Sequence, residues 1–434
     1  MLLLILGCTP VSIDQEPIPP GPPPATEETE ADTEVDTASP EDDPPEDDTE
    51  DTGVESIEGA GSDDSWIFNP EQVHTLDISI SEENIEILNA GTEAYSQEVV
   101  WVEVDVSYDD IPMPSVGLRL KGRWGSWRSF EDKPSIKVDF NRYVDGQELE
   151  GLEGLTLNNM ISDCSFMREH MAYPVYAAMG VPVPRTAYVW ITVNGEDYGL
   201  YINVESIDDV FLDRHYADGN GNLYDADYIL WDDGTYTVLD FYSYLIQFFE
   251  QEEGDDVAGQ DLSSIATLLD TWEGSESFYE ETSAVIDWDH HQRMVAAEMW
   301  IGQNDGYSLN RNNYLVYFEP KSLLTIQPWD HDYAFLNASD WGFSWTNPQG
   351  RLTNLCLSDP ACRADQIARI EEVIEVVDAL GFDDRFDDTR SMINDYITAD
   401  TRRECSDSYV NWYQGVIESW SYSRSGELRT MWGL

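Results

Sequence analysis

The chain is short of positive charge. Lys and Arg total 22 against 87 Asp and Glu in 434 residues, and neither basic type precedes Arg119. A polyanion of this kind repels phosphate backbones and anionic lipid, so nucleic acid is not expected as a partner. A solvating surface adapted to salt accounts for the acidic excess. No stretch offers the 18 or more uncharged apolar residues of a bilayer span. No CxxC pair or Cys/His cluster has zinc spacing, and neither a GxGxxG loop nor a Walker A sequence occurs. A zinc centre and a standard nucleotide cradle are therefore not expected.

What is present begins with an export signature. Residues 1–8, MLLLILGC, resemble the lipobox at which bacterial lipoproteins are cleaved, with Cys8 as the lipidated mature N-terminus. Residues 9–65 are mostly Pro, Glu, Asp, Thr, Gly and Ser. Too poor in apolar side chains to offset its ordering entropy, this segment reads as an extended, self-repelling tether. The expected location is extracytoplasmic, lipid-anchored at a bacterial outer membrane or cell surface. Residues 66–434 can bury a sizeable core. They contain Cys164, Cys356, Cys362 and Cys405, an even number that suggests two disulfides with three connectivities. Cys356 and Cys362 could close a short loop, which leaves Cys164 with Cys405.

Strand patterns dominate first and helical patterns later. The stretch 66–116 reads as strand-rich with a helix over 82–90, and alternation predicts strands over 99–108, 116–121 and 133–140. In the third, Lys133 and Lys137 are four apart and are expected on one face. A helix is predicted over 165–179, then a hairpin over 186–205 around the Asn194-Gly195 turn. Residues 241–249, 263–272, 283–304, 365–397 and 406–432 read as helical. The order implies an α+β fold with a sheet-bearing N-lobe, about 66–240, and a helical C-lobe, about 241–434.

Three features carry chemistry. Residues 305–310, DGYSLN, follow a buried helix and set Asp305 five residues before Asn310. That is the spacing of the protein-kinase catalytic loop, where the Asp accepts the substrate hydroxyl proton and the Asn holds a metal. A strand over 313–318, a polar turn and a second strand then deliver Asp330 and Asp332, whose hard oxygens suit Mg or Mn. Finally, Arg119, Lys121, Arg123, Arg128, Lys133 and Lys137 form a basic island in an acidic chain, a candidate phosphate site. A calcium loop over 218–227 is discounted, because Leu223 stands where the turn Gly belongs and the terminal Glu is missing.

Five segments, LRLKGRWGSW, KPSIKVDF, residues 151–208, MWIGQNDGYSLNRNNYLVY and IQPWDHDYAF, resemble the successive blocks of the CotH (spore coat protein H) family of atypical protein kinases, in their usual order. The resemblance implies an atypical two-lobed kinase-like fold using ATP and Mg or Mn. Asp305 matches the family's catalytic-loop aspartate. Lys133 is the first choice for phosphate contact and Lys137 the second, with Arg123 nearby and Glu169 as the lysine's partner. Glu205 and Arg168 fit family positions; Glu205 is grouped with the nucleotide side, and neither receives a defined role. Asp330, then Asp332, is the expected metal aspartate, and either Asn310 or Asn313 its companion. Trp124 or Trp127 offers a surface for base stacking, with aromatic core the simpler reading.

The leading expectation is phosphoryl transfer from ATP to a Ser or Thr hydroxyl of an exported protein, by a monomer touching membrane only through its N-terminal lipid. The alternative is a surface assembly or adhesion module that keeps the fold without the chemistry.

Overall fold

The computed structural model describes residues 64–91, 99–122, 125–231, 234–256, 258–320 and 323–434. Cys8, Arg123 and Trp124 lie outside them. The first elements are β1 (Val73–Ser79), α1 (Glu82–Gly91), β2 (Val102–Tyr108), β3 (Ile111–Lys121), β4 (Ser135–Asp139), β5 (Gly154–Asn158), α2 (Arg168–Ala178), β6 (Thr186–Val193) and β7 (Glu196–Val204). The seven strands close a barrel in the order β1-β2-β3-β4-β5-β7-β6. Neighbours are antiparallel except at the closure, where β1 runs parallel to β6. The period-2 alternation turns Leu118, Leu120, Ile136, Val138, Leu155 and Leu157 inward to one apolar core. Arg119, Lys121, Lys137, Thr156 and Asn158 therefore face outward, and Arg119 pairs directly with Lys137.

The remainder comprises α3 (Asp209–His215), β8 (Asn222–Asp225), β9 (Ile229–Leu230), β10 (Tyr236–Thr237), β11 (Glu250–Glu253), α4 (Gln260–Trp272), α5 (Phe278–Thr282), α6 (Trp288–Ile301), β12 (Tyr314–Phe318), β13 (Leu324–Pro328), α7 (Arg351–Ser358), α8 (Pro360–Leu380), α9 (Phe382–Ala399) and α10 (Asp407–Trp432). Strands β11-β8-β12-β13 form a second sheet. A second core joins the helices to Tyr188, Leu200, Ile202 and Val204 on the outer face of β6 and β7. Those two strands are thus covered on both faces, which is why they read as nearly unbroken apolar runs. The architecture is α+β: a barrel lobe and a helical lobe joined through β6, β7 and α2.

Three helical predictions change. Residues 241–249 form only a 3-10 turn over Ile246–Phe248. The Asp240 carboxylate accepts the backbone N–H of Phe241 and of Arg351, and after Phe249 the chain is drawn into β11, which pairs with β8. Residues 283–286 stay outside α6, because Ile286 bridges to Leu324 and Asp287 caps the helix by accepting from His290 N. The span 365–397 is two helices broken at Gly381, whose φ of +65° supplies the left-handed stop. Residues 222–225, within the discounted calcium loop, are strand β8 and pair with β12 and β11. Among the described residues no helix is long and apolar enough to cross a membrane.

Candidate active site

Helix α6 ends at Gly302 in the left-handed region, where a Cβ would lie 2.4 Å from the Trp420 ring. The chain then turns through buried Gln303 and Asn304 to Asp305. Left-handed φ values at Arg311 and Asn313 fold the following loop back. Its three amides converge on one carboxylate: Asn310 Nδ2 donates to Asp305 Oδ1 at 2.5 Å, and Asn312 and Asn313 donate to Oδ2 at 3.2 and 3.0 Å. Burial pushes the Asp305 carboxyl up to about 7, reinforced by the charge of Asp330 and opposed by the three amides. Beneath the loop, burial pushes the Glu298 carboxyl up to about 7, opposed by the neighbouring polar groups of Tyr307 and Ser308. A Cβ on Gly306 would sit 2.4 Å from Glu298 Oε1, so the loop packs there only as glycine.

The antiparallel hairpin β12–β13 leaves this loop and returns beside it. At its end Asp330 adopts φ +48°. Gln303 Nε2 donates to the Asp330 carbonyl at 2.8 Å and to His331 Nδ1 at 2.9 Å, so the two segments are latched together. His331 is buried against Tyr173 and Tyr176 of α2, with centroids 4.6 and 4.9 Å apart. Burial pulls it down to about 3, so the ring is neutral near pH 7. Asp330 and Asp332 flank it, both half-buried. Burial, with Asp330, Glu169 and Asp305 nearby, holds the Asp332 carboxyl well above the usual carboxylate range.

The cation facing these carboxylates is Lys121, at the end of β3. Its Nζ donates to Asn158 Oδ1 at 2.5 Å, and Asn158 Nδ2 donates to Glu169 Oε2 at 2.9 Å. Asn158 thus bridges Lys121 to Glu169 on α2. Burial pulls the Lys121 ammonium down, against the attraction of Asp330 and Glu169. Burial and Asp330 together push Glu169 up. Helix α2 is held in place by Asp163, whose carboxylate accepts from Ser165 N, Ser165 Oγ and Arg168 N.

Two expected nucleotide ligands are engaged elsewhere. Lys133 precedes Pro134 and so stands outside the β4 ladder. It turns inward, 1 % exposed, to donate to Asp400 Oδ2 at 2.6 Å, between the rings of Phe166 and Tyr201. Glu205 is locked by Arg185 and Arg214, with Asp64 completing the ion cluster on Arg185. Lys137 remains on the outer barrel face, attracted by Asp208 and Glu252. Trp127 is half-buried.

A family profile described as CotH kinase protein matches residues 118–424. The chain belongs to this family. Inner spore coat protein H of Bacillus subtilis (strain 168) is 24% identical over 240 residues, 52% of this chain and 63% of that protein. An inner spore coat protein H-like protein of the same organism is 30% identical over 79 residues, 18% and 24% of the respective chains. The alignments thus span less than two thirds of either relative. A crystal structure of the Helicobacter pylori proinflammatory kinase CtkA matches 72% of this chain and 96% of its own at 9% identity and a TM-score of 0.27, too loose to carry an argument.

In this CotH chain the sequence brings Asp305, Asn310, Asn313, Asp330, Asp332 and Glu169 into one neighbourhood, leaves Lys133 and Glu205 outside it, and adds Lys121, Asn158 and Asn312. Lys121 carried a signal, since LRLK alternates in register with the barrel. Asn158 and Asn312 carried none beyond being polar. Cys164 is joined to Cys405 and Cys356 to Cys362. Among the described residues no three His, Cys, Asp or Glu side chains form a ready-made metal cage. The donor set still fits a magnesium-like ion, which binds through one or two carboxylates and completes its shell with water and substrate phosphates.

Proposed function

We infer that the protein is a metal-assisted kinase that transfers the terminal phosphoryl group of ATP to a Ser or Thr hydroxyl of an exported protein. The observation that carries this reading is the meeting of Lys121, Glu169, Asp305 and Asp330, from β3, α2, the loop after α6 and the end of β13, linked through Asn158 and Asn313 and acting on one another's charge. These are the parts phosphoryl transfer needs: a cation for the phosphates, a partner that aims it, a base for the acceptor and a metal carboxylate.

Asp305 receives the acceptor proton. Its raised carboxyl is a stronger base than a solvent-exposed aspartate, and three amides fix its direction. Lys121, aimed by Asn158 and Glu169, binds phosphate oxygens. Asp330 and Asp332, with Asn310 or Asn313, would hold Mg or Mn. The ion supplies charge neutralisation of the transferring phosphoryl group. The net charge of −65 disfavours nucleic acid. We further propose a monomer, anchored through a lipid on Cys8.

The relatives named as spore coat proteins support a second reading, in which the chain serves coat-like surface assembly without transfer. Thermal melting with ATP and Mn separates the two. The kinase reading requires stabilisation that depends on both ligands and is lost in Lys121→Ala and Asp330→Asn. No shift at saturating ATP and metal favours the assembly reading.

A further inference from the structure

Arg168 is 3 % exposed, yet no part of the chemistry above uses it. Its Nη1 donates to the Asp332 carbonyl at 2.6 Å, and its Nε lies 3.6 Å from Asp163 Oδ1. Its guanidinium packs 5.1 Å from the Tyr413 ring centroid of α10. One side chain therefore ties the Asp330–Asp332 turn to the N-terminus of α2, beside Glu169, and rests on the C-terminal helix. That helix is in turn fastened to the same loop. Cys405, just before the α10 cap Ser406, is bonded to Cys164, and Gln414 Nε2 donates to the Ser165 carbonyl at 3.2 Å.

We propose that Arg168 is a positioning residue for the metal-binding turn, and that the Cys164–Cys405 disulfide holds it there, so that the site is fully assembled only in an oxidising compartment. A guanidinium bonded to a carbonyl orients the turn without entering the reaction, as an outer ligand shell does. Asp163 and Tyr413 set the plane of the guanidinium, and the disulfide sets the distance between them. A dithiol reductant delivers two electrons and two protons to the bridge, giving two thiols and becoming a disulfide itself. The start of α10, with Tyr413, then keeps only the Gln414–Ser165 bond to this loop, and the Asp330–Asp332 turn loosens while the rest of α10 stays packed through Trp420 and Arg424. Cys356–Cys362 closes a loop between α7 and α8 and has no such connection.

This inference rests on the kinase reading for its consequence, but its geometry has a ligand-free test. Hydrogen exchange over residues 330–335 is measured in full-length wild type, Arg168→Gln, Arg168→Lys, Cys164→Ser/Cys405→Ser and Cys356→Ser/Cys362→Ser, alongside Mn titration with a non-hydrolysable ATP analogue. The expected result is faster exchange in Arg168→Gln and in Cys164→Ser/Cys405→Ser or dithiol-treated wild type, partial rescue in Arg168→Lys, and no change in Cys356→Ser/Cys362→Ser. Mn affinity should fall about ten-fold or more in the first group. Unchanged exchange in Arg168→Gln, or uniform loosening of the whole fold in every variant, overturns the proposal. Faster exchange at the turn in a wild type that binds neither Mn nor nucleotide would instead retain the brace and remove the kinase reading.

Discussion

Lys121 and Lys133 lie 12 positions apart on the same lobe, and their partners separate what each does. Lys133 meets Asp400 in a buried pair that also draws N–H donors from Leu200 and Arg402. Lys133→Ala leaves that carboxylate buried with its cation gone, at a cost of about 3–5 kcal/mol. A denaturant melt should register the loss. Lys121 has no carboxylate within salt-bridge reach among the described residues, only the bridge through Asn158. Lys121→Ala should leave the melt nearly unchanged while removing nucleotide-dependent stabilisation. Asp305 adds a pH signature. Its folded value of about 7 lies above the ordinary aspartate value of 3.8. Between those values the folded state keeps a proton that the unfolded chain has released. Stability from this group therefore falls as pH rises through the window, while the base form needed for transfer grows. Transfer rate should climb about ten-fold per pH unit below about 7 and flatten above it. A rate independent of pH from 5 to 8 on this scale would remove Asp305 as the base. The Asp305-to-Asn310 spacing and the PWDHD strand end were legible in the sequence. The choice of lysine was not, because Pro134 decides whether Lys133 joins the strand, and its partner lies 267 residues further on.

At the scale of elements, α2 carries Glu169 into the site, while β6 and β7 join the two lobes. Local chemistry predicts them well. Asn194-Gly195 marks the β6–β7 hairpin, and Gly180 ends the segment after α2. What local patterns omit is closure and contact. Nothing in β1 or β6 announces that they pair in parallel, and nothing in 241–249 announces that Asp240 will tie the segment to α7. Gly199 shows how narrowly elements meet: with φ +132°, it would place a Cβ 2.6 Å from Asp400 Oδ1. Gly199→Ala should therefore destabilise by about 1–3 kcal/mol, and the loss should shrink in an Asp400→Ala background, as a double-mutant cycle can measure. Additive losses would mean the strain is in the backbone alone.

The whole molecule carries a net charge of −65, and its folded lobes must hold together against that field. At about 1 M NaCl, where the Debye length is about 3 Å, repulsion between surface carboxylates is screened. The melting temperature should rise with salt, and a fall would place the dominant charge effects in attractive pairs. The same field favours divalent cations, and a bound cation would favour the charged forms of Asp305 and Asp332 that burial otherwise disfavours. Fold class and the acidic face of the site were thus readable from composition and order, whereas the convergence of Lys121, Glu169 and Asp305 from three separate elements required the structure. The most direct test of the central claim is transfer of labelled phosphate from ATP in the presence of Mn by wild type, Asp305→Asn and Asp330→Asn. Incorporation by wild type alone, with ATP- and Mn-dependent stabilisation retained in Asp305→Asn, is the predicted result. Equal incorporation by all three, or none by wild type with a physiological acceptor present, would contradict it.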